Sequence, residues 1–235
     1  MATMSGEQRD QLHRDGYMLL RQAIPHEWLN ELRDTFDAGV IPLHEWPVPR
    51  ETSIRYSLLD LNDMVQAVCR LPTLLEAVGE LIGEPFFHAQ VEGREPKPGC
   101  GHQRRHRDMS AQRPGDSVSA IVYFDAYGPD NGSTRLIPGT HRPSQDDAPF
   151  NPNDESRTIQ LTGQAGDILV FDVDLVHAGS LNKSGARRRS LLTSYFAAPL
   201  HPMMTRTAHL RNVRMRTDDR FSEAGKLLPT AQAPH

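Results

Sequence analysis

From residue 85 to residue 200 the sequence alternates short β-rich runs with clusters of turn-forming residues. Gly, Pro, Asn and Asp separate the runs, which read PFFHAQVEG, SVSAIVYFD, TRLIPG, RTIQLTG, DILVFDVD and RSLLTSYFAA. Many short strands at such spacing are typical of an all-β sandwich or barrel. The pattern therefore predicts a β-barrel core over residues 85–200.

The segment before this core has helical patterns. Ser5 and Gln8 have the spacing of a capping box, and the helix that they open should end at Gly16, before the strand-like run YMLLRQAI. Further helices are predicted over PHEWLNELRDTFDAG, which starts at Pro25, and over LPTLLEAVGELIG, which ends at Gly83. We therefore expect one domain, residues 1–235, with a helical part over 5–83, the β core, and a tail over 201–235.

Composition narrows the classes of partner. The net charge of −4 and the pI of 6.2 argue against nucleic acid, so a small molecule is the expected partner. No window of 18 apolar residues occurs and MATMSGEQRD has neither a basic start nor an apolar stretch, which predicts a cytoplasmic protein with no membrane partner. The two cysteines, Cys69 and Cys100, are expected to stay reduced. The oligomeric state is left open.

The stretch GHQRRHRDMS at residues 101–110 permits two metal-binding patterns. His102 and His106 have the spacing of a helical zinc pair, but that site needs a glutamate after the first histidine, and Gln103 stands there. Proline and glycine on both sides also disfavour a helix. A zinc site with Cys100 lacks a fourth ligand at a familiar spacing.

In an extended segment, by contrast, His106 and Asp108 point to the same face. A second histidine from elsewhere would complete a two-histidine, one-carboxylate site, which leaves three positions open on iron(II). The segment AGDILVFDVDLVHAG places His177 after an apolar run, and Arg188 follows eleven residues later. An H-x-D pattern alone is a weak signal, and the downstream pair strengthens it.

This joint pattern resembles the phytanoyl-CoA dioxygenase family of Fe(II)/2-oxoglutarate-dependent oxygenases. DGYMLLRQAI, the Q-x-x-H-x-D run at 103–108 and NGSTRLIPGTHR also resemble family segments, and the resemblance extends over about residues 10–200 in the family's order. It implies a mainly β fold with flanking α-helices: a double-stranded β-helix (jelly-roll, cupin-like) core with N-terminal helices packed outside.

The resemblance also implies residue roles. Arg188 would hold the distal carboxylate of 2-oxoglutarate, because its planar guanidinium can donate two parallel hydrogen bonds. Its neighbours should point the other way, toward solvent or acidic groups. The implied iron ligands are His106, Asp108 and His177, and further contacts to the co-substrate are implied for Gln103, Thr134 and Ser180. Hydrogen bonding within the strands alone also accounts for Gln103 and Thr134.

The implied activity is hydroxylation or desaturation of an unactivated C–H bond in a small molecule, with O2 consumed, succinate and CO2 released, and ascorbate as a supporting reagent in vitro. Asp108 favours these outcomes, because halogenating relatives have a small residue there. A natural-product or amino-acid-like substrate is expected, and an acyl-CoA stays open. Two alternatives also remain: a non-catalytic cupin-like ligand-binding protein, and a metal-dependent cupin enzyme that does not use 2-oxoglutarate.

The mouth of the pocket should draw on three segments: MSAQRPGD after Asp108, residues 44–60, and HPMMTRTAHLRNVR in the tail. Arg113 or an arginine of the tail could meet an acidic substrate there, or remain a solvated surface charge.

Overall fold

The computed structural model describes residues 4–108, 113–142, 151 and 155–229. The helices are α1 (Gly6–Asp15), α2 (Leu29–Ala38), α3 (Asp63–Cys69), α4 (Pro72–Ile82) and α5 (His201–Arg206). The strands are β1 (Tyr17–Leu20), β2 (Ile54–Ser57), β3 (Phe86–Pro96), β4 (Ser117–Tyr123), β5 (Arg135–Leu136), β6 (Ile159–Gln160), β7 (Ile168–Asp172), β8 (His177–Ala178) and β9 (Ser190–Ala197).

Two antiparallel sheets form the centre of the protein. The larger has the strand order β1-β7-β4-β9-β3-β2, and the smaller has the order β6-β5-β8. Strands β7, β8 and β9 alternate between the two sheets, so the chain crosses from one sheet to the other and back before and after His177. Mainly β structure with flanking helices is therefore confirmed.

Alternation along each strand of the large sheet produces two separate cores. In β4, Val118, Ala120 and Val122 pack against the helices, in the same cluster as Leu74 and Val78 of α4. Tyr123 and the partly buried Ile121 belong instead to a second cluster, which includes Leu136, Leu161, Leu169 and Phe171. The second cluster joins the two sheets, and the candidate site lies beside it.

The helix boundaries follow local sequence signals. Ser5 caps α1, and both hydrogen bonds of the predicted capping box are present. Gly16 ends α1 with φ of 77°, and a Cβ there would lie 2.4 Å from the ring of His141, so only glycine fits. The helix predicted from Pro25 is wrong in its first turn, because a 3-10 turn over His26–Trp28 precedes α2.

Within the helical part predicted over residues 5–83, no individual element was predicted for residues 51–70, where the structure has β2 and α3. Asn62 caps α3 by accepting a hydrogen bond from the amide of Val65. Two predicted runs, TRLIPG and RTIQLTG, form strands of only two residues each, β5 and β6. Both cysteines are free. In the described ranges, no helix has the length and apolar character needed to cross a membrane.

Candidate metal centre

The backbone brings His106 and His177 together. The two residues face each other in an antiparallel bridge, in which each amide donates to the other's carbonyl, at 3.0 and 2.9 Å. Side chains of directly opposed residues project from the same face of a sheet. The two imidazole rings accordingly lie with their centroids 4.6 Å apart. The segment around His106 is extended, so a helical zinc pair with His102 is not formed.

Asp108 joins the same face because it stands two residues beyond His106. Its amide donates to the carbonyl of Val173 at 3.0 Å, which fixes this end of the segment. The carboxylate lies 3.6 Å from Nε2 of His106 and 3.7 Å from Nε2 of His177. One potential ligand atom from each of the three residues lies within 4.8 Å of the others. The structure therefore brings the predicted triad together.

Both imidazoles are oriented by the same kind of hydrogen bond. Nδ1 of His106 lies 2.8 Å from the carbonyl of Arg104, and Nδ1 of His177 lies 2.8 Å from the carbonyl of Leu175. A carbonyl only accepts, so each Nδ1 carries a proton, and in the neutral form of either ring Nε2 presents its lone pair. Ligating histidines in metal sites have this arrangement, and the donor set therefore fits a divalent metal such as iron(II).

Local electrostatics favour the metal-binding form of two of the three groups. Burial opposes ionisation of Asp108, but the hydrogen bond with His106 and the charges of both histidines and Arg94 hold its pKa below the ordinary value. Burial lowers the pKa of His177, which keeps that ring neutral. The neighbouring Asp108 carboxylate instead raises the pKa of His106. An ionised carboxylate and a neutral imidazole are the forms that bind a metal, so a metal ion would compete with a proton at His106.

A cavity of about 190 Å³ opens beside the triad. Its walls combine apolar side chains of the large sheet with a few polar groups. The apolar residues include Ile54, Ile121, Phe171 and Leu192, and the polar ones include Tyr56, Arg94, Gln103, Tyr127, Thr134 and Arg188. An apolar pocket with a few convergent polar groups is the usual form of a small-molecule site.

Arg188 differs from the arginines on either side of it. Arg187 pairs with Asp37 and Glu95, and Arg189 pairs with Asp37 and Asp125. Arg188 lines the cavity, and its Nε is buried without a hydrogen-bond partner. In the described part of the chain no carboxylate pairs with it, and its guanidinium carbon lies 4.8 Å from the ring centre of Tyr127. A half-buried guanidinium that lines a cavity without a carboxylate partner fits a ligand carboxylate.

The other predicted contacts to the co-substrate divide into two groups. Gln103 and Thr134 line the cavity, although Oε1 of Gln103 already accepts a hydrogen bond from the amide of Gly179 at 2.9 Å. The structure does not place Ser180 in the cavity wall. Its hydroxyl accepts a hydrogen bond from Gln160 of β6 at 2.9 Å.

The predicted pocket mouth is only partly described. Residues 109–112 lie outside the described residues, and of the 44–60 segment Glu51, Ile54 and Tyr56 line the cavity. Arg113 instead pairs with Glu84, and in the tail Arg211 bonds to Gln90 and Arg214 to Asp60. None of these three arginines is among the cavity's lining residues.

Arg94 and Tyr127 also line the cavity, and neither was predicted from the sequence. Glu92 and Arg94 are alternate residues of β3 and share a face, but Glu95 on the other face is charged as well, so the sequence does not mark which face points inward. Tyr127 follows β4 in a loop, and no pattern in the sequence marks it.

A jelly roll that presents two imidazoles and one carboxylate to a common point has the arrangement of the non-haem iron(II) oxygenases. The family model described as phytanoyl-CoA dioxygenase matches residues 12–190. The chain therefore belongs to the phytanoyl-CoA dioxygenase family, which confirms the resemblance seen in the sequence.

Fungal relatives match at low identity. The dioxygenase cdmD of Talaromyces verruculosus is 30% identical over 71% of this chain, and dioxygenase af480 of Aspergillus fumigatus is 27% identical over 59% of it. The matched regions span 60% and 47% of those two proteins. The chain thus spans less than two thirds of these curated relatives.

Solved structures confirm the double-stranded β-helix fold. The carbocyclase SnoK from nogalamycin biosynthesis, described as non-haem and α-ketoglutarate dependent, superposes with a TM-score of 0.69 at 15% identity, over 83% of this chain and 84% of its own. EctD from S. alaskensis, solved with bound Fe, has a TM-score of 0.66 at 20% identity, over 82% and 76% of the two chains.

Proposed function

We propose that this protein is an Fe(II)- and 2-oxoglutarate-dependent dioxygenase that hydroxylates an unactivated C–H bond of a small molecule. The observation that carries the proposal is the convergence of His106, Asp108 and His177 on one cavity that also holds the unpaired guanidinium of Arg188. Membership of the phytanoyl-CoA dioxygenase family supports it.

The triad would hold iron(II) through Nε2 of His106, Nε2 of His177 and a carboxylate oxygen of Asp108. With 2-oxoglutarate and O2, iron bound in this way supplies the oxidising chemistry that inserts oxygen into the substrate while succinate and CO2 are released. The carbonyls of Arg104 and Leu175 keep both imidazoles in the ligating tautomer. Asp108 supplies the third ligand, so only three positions stay open for reactants.

Arg188 would bind the distal carboxylate of 2-oxoglutarate. Its partial burial strengthens the attraction to a carboxylate, since screening by water is reduced. Thr134 lines the same cavity and is buried, and Gln103 retains its amide N–H groups as donors. We propose both as further contacts of the co-substrate. Ser180 is left out of this set, because its hydroxyl is bonded to Gln160.

The substrate is proposed to be a small natural-product or amino-acid-like molecule. Titles of the structural neighbours name small molecules: one neighbour was solved in complex with nogalamycin RO, another with 5-hydroxyectoine. The small cavity beside the triad supports the same size class.

The test is a mass-spectrometric screen of metabolite pools with the purified protein, iron(II), 2-oxoglutarate and ascorbate. A gain of one oxygen in a metabolite, together with succinate release, supports the proposal, and desaturation would appear as a loss of two hydrogens. Replacing Arg188 by Ala distinguishes the alternatives, because only an enzyme that uses 2-oxoglutarate loses co-substrate affinity. Turnover without 2-oxoglutarate would contradict the proposal.

A further inference from the structure

A second guanidinium lines the cavity, that of Arg94 on β3. In the large sheet Arg94 stands opposite Tyr56 of β2 on one side and Ser190 of β9 on the other. All three residues line the cavity together with the triad. The proposed function assigns no role to Arg94, because the co-substrate carboxylate is assigned to Arg188.

Arg94 is held by a carboxylate that it shares. Its Nε and Nη2 lie 2.6 and 2.5 Å from Oε1 of Glu92, while Nη2 of Arg50 lies 2.9 Å from Oε2 of the same carboxylate. The guanidinium carbon of Arg50 also lies over two aromatic rings, 4.4 Å from the centre of Trp46 and 5.0 Å from that of Tyr56. Two guanidiniums thus share one carboxylate, which leaves one positive charge uncompensated.

Arg94 lines the cavity and keeps hydrogen-bond donors that Glu92 does not use. Both of its contacts to Glu92 use the Nε and Nη2 edge, and among the described residues no acceptor pairs with Nη1. The side chain of Arg94 is 40% exposed, whereas that of Glu92 is 10% exposed. Glu92 therefore orients the guanidinium without covering it.

Charges elsewhere in the loaded cavity would cancel. Iron(II), the Asp108 carboxylate, dianionic 2-oxoglutarate and Arg188 sum to zero. Glu51 also lines the cavity, but its side chain is exposed at the rim, where water screens it. One positive charge, presented by Arg94, remains for the substrate.

Building on the proposed function, we propose that Arg94 binds a carboxylate of the substrate. A carboxylate matches the single uncompensated charge, and its two oxygens suit the remaining N–H groups of a planar guanidinium. A phosphate dianion would need a second cation, and Arg50 is committed to Glu92. The substrate class that follows is an organic acid or amino acid that is oxidised at a carbon within reach of the triad.

The experiment compares acids with neutral molecules of the same shape. The protein is loaded with Mn(II) and saturating 2-oxoglutarate without oxygen, and calorimetric titration measures binding of benzoate, benzamide, decanoate, decanamide and phenyl phosphate. We expect at least one acid to bind about tenfold or more tightly than its amide, which corresponds to ~1.4 kcal/mol. Arg94→Gln should remove this preference and leave 2-oxoglutarate affinity unchanged.

Two further variants serve as controls. Arg216→Gln changes an arginine whose side chain is 88% exposed, and it should keep the preference for the acid. Arg94→Lys keeps the positive charge but lacks the planar, two-pronged donor geometry of a guanidinium, so it should keep part of the preference for the acid. This variant provides the test if Arg94→Gln does not fold. Three outcomes would overturn the proposal. They are equal affinity for acids and amides, a preference for the acid that survives in Arg94→Gln, and a higher affinity for phenyl phosphate than for the carboxylic acids.

Failure of the proposed function would appear differently. A protein that binds Mn(II) but no 2-oxoglutarate contradicts the oxygenase assignment. The comparison of acids with amides can still be made on that metal-loaded protein. Measuring it in Arg94→Gln and in Arg188→Gln shows which of the two arginines the preference for the acid depends on.

Discussion

The cavity is lined by one arginine from each of two regions, Arg94 from β3 and Arg188 from the segment before β9. The two side chains differ in whether a carboxylate of the protein is bound to them. Arg188 has no carboxylate partner among the described residues, and its Nε is buried without a hydrogen bond. Arg94 is anchored by Glu92, which also binds Arg50. A guanidinium without a carboxylate partner is free to take its direction from the ligand, whereas one that is anchored by a carboxylate presents its remaining donors in a fixed direction. The difference suggests two ligands rather than one.

The largest expected effect is on metal binding by the triad. Asp108→Gly removes one of three ligands, so we expect iron content to fall and hydroxylated product to drop below detection. Metal analysis and product mass spectrometry measure this. His102→Ala is the matched control, because His102 lies outside the triad, and it should behave like wild type. An unchanged rate in Asp108→Gly would contradict its role as a ligand.

The next largest expected effect is on the affinity for 2-oxoglutarate, and it should differ between variants of the two arginines. Arg188→Gln removes two charge-assisted hydrogen bonds to 2-oxoglutarate, for a loss of about 3 kcal/mol, or roughly a hundredfold in affinity. Calorimetric titration with Mn(II) measures it. Arg94→Gln is the comparison, with unchanged affinity for 2-oxoglutarate. If the two variants lose the same affinity, both arginines bind the co-substrate and the comparison fails.

A smaller effect concerns the shared carboxylate. Glu92→Gln leaves Arg50 and Arg94 without a counter-charge, and we expect a loss of about 1–3 kcal/mol in the free energy of unfolding, since the group is mostly buried. Urea denaturation measures it. Glu155→Gln is the matched control: this carboxylate also contacts two arginines, but it is 59% exposed, so a cost of about 1 kcal/mol or less is expected. Equal costs would show that Glu92 does not anchor Arg94.

The smallest effect lies beside Arg188. Arg187→Gln breaks ion pairs with Asp37 and Glu95, but Arg187 is 41% exposed, so we expect a loss of about 1 kcal/mol or less in the free energy of unfolding. The affinity for 2-oxoglutarate should not change. A large fall in that affinity would mean that the flanking pairs position Arg188.

Prediction from sequence succeeded where a local rule was sufficient. The capping box at Ser5, the glycine end at Gly83 and the alternation of His106 with Asp108 depend on neighbours a few residues away, and the structure shows each of them. The arginine triplet could be divided in the same way, because alternate residues of an extended segment face opposite sides. The family resemblance placed His177 beside His106, which spacing alone could not do.

What the sequence could not give depends on distant contacts. The hydroxyl of Ser180 is taken by Gln160, and Arg94 meets Arg50 only through Glu92, because β2 and the loop before it fold back onto β3. Such pairings follow from the arrangement of whole strands. The 3-10 turn that replaces the first turn of the helix predicted from Pro25 likewise has no clear marker in the sequence.

His106 and His177, two of the three proposed ligands, are paired directly by two backbone hydrogen bonds. A bound ion would crosslink the side chains of two residues whose main chains are already hydrogen-bonded to each other. Removing the ion should allow these two backbone hydrogen bonds to open more often. The amide protons of His106 and His177 should then exchange with deuterium faster than those in the middle of β4. The exchange rates of these two amides would thus show whether the ion is bound, independently of any measurement of turnover.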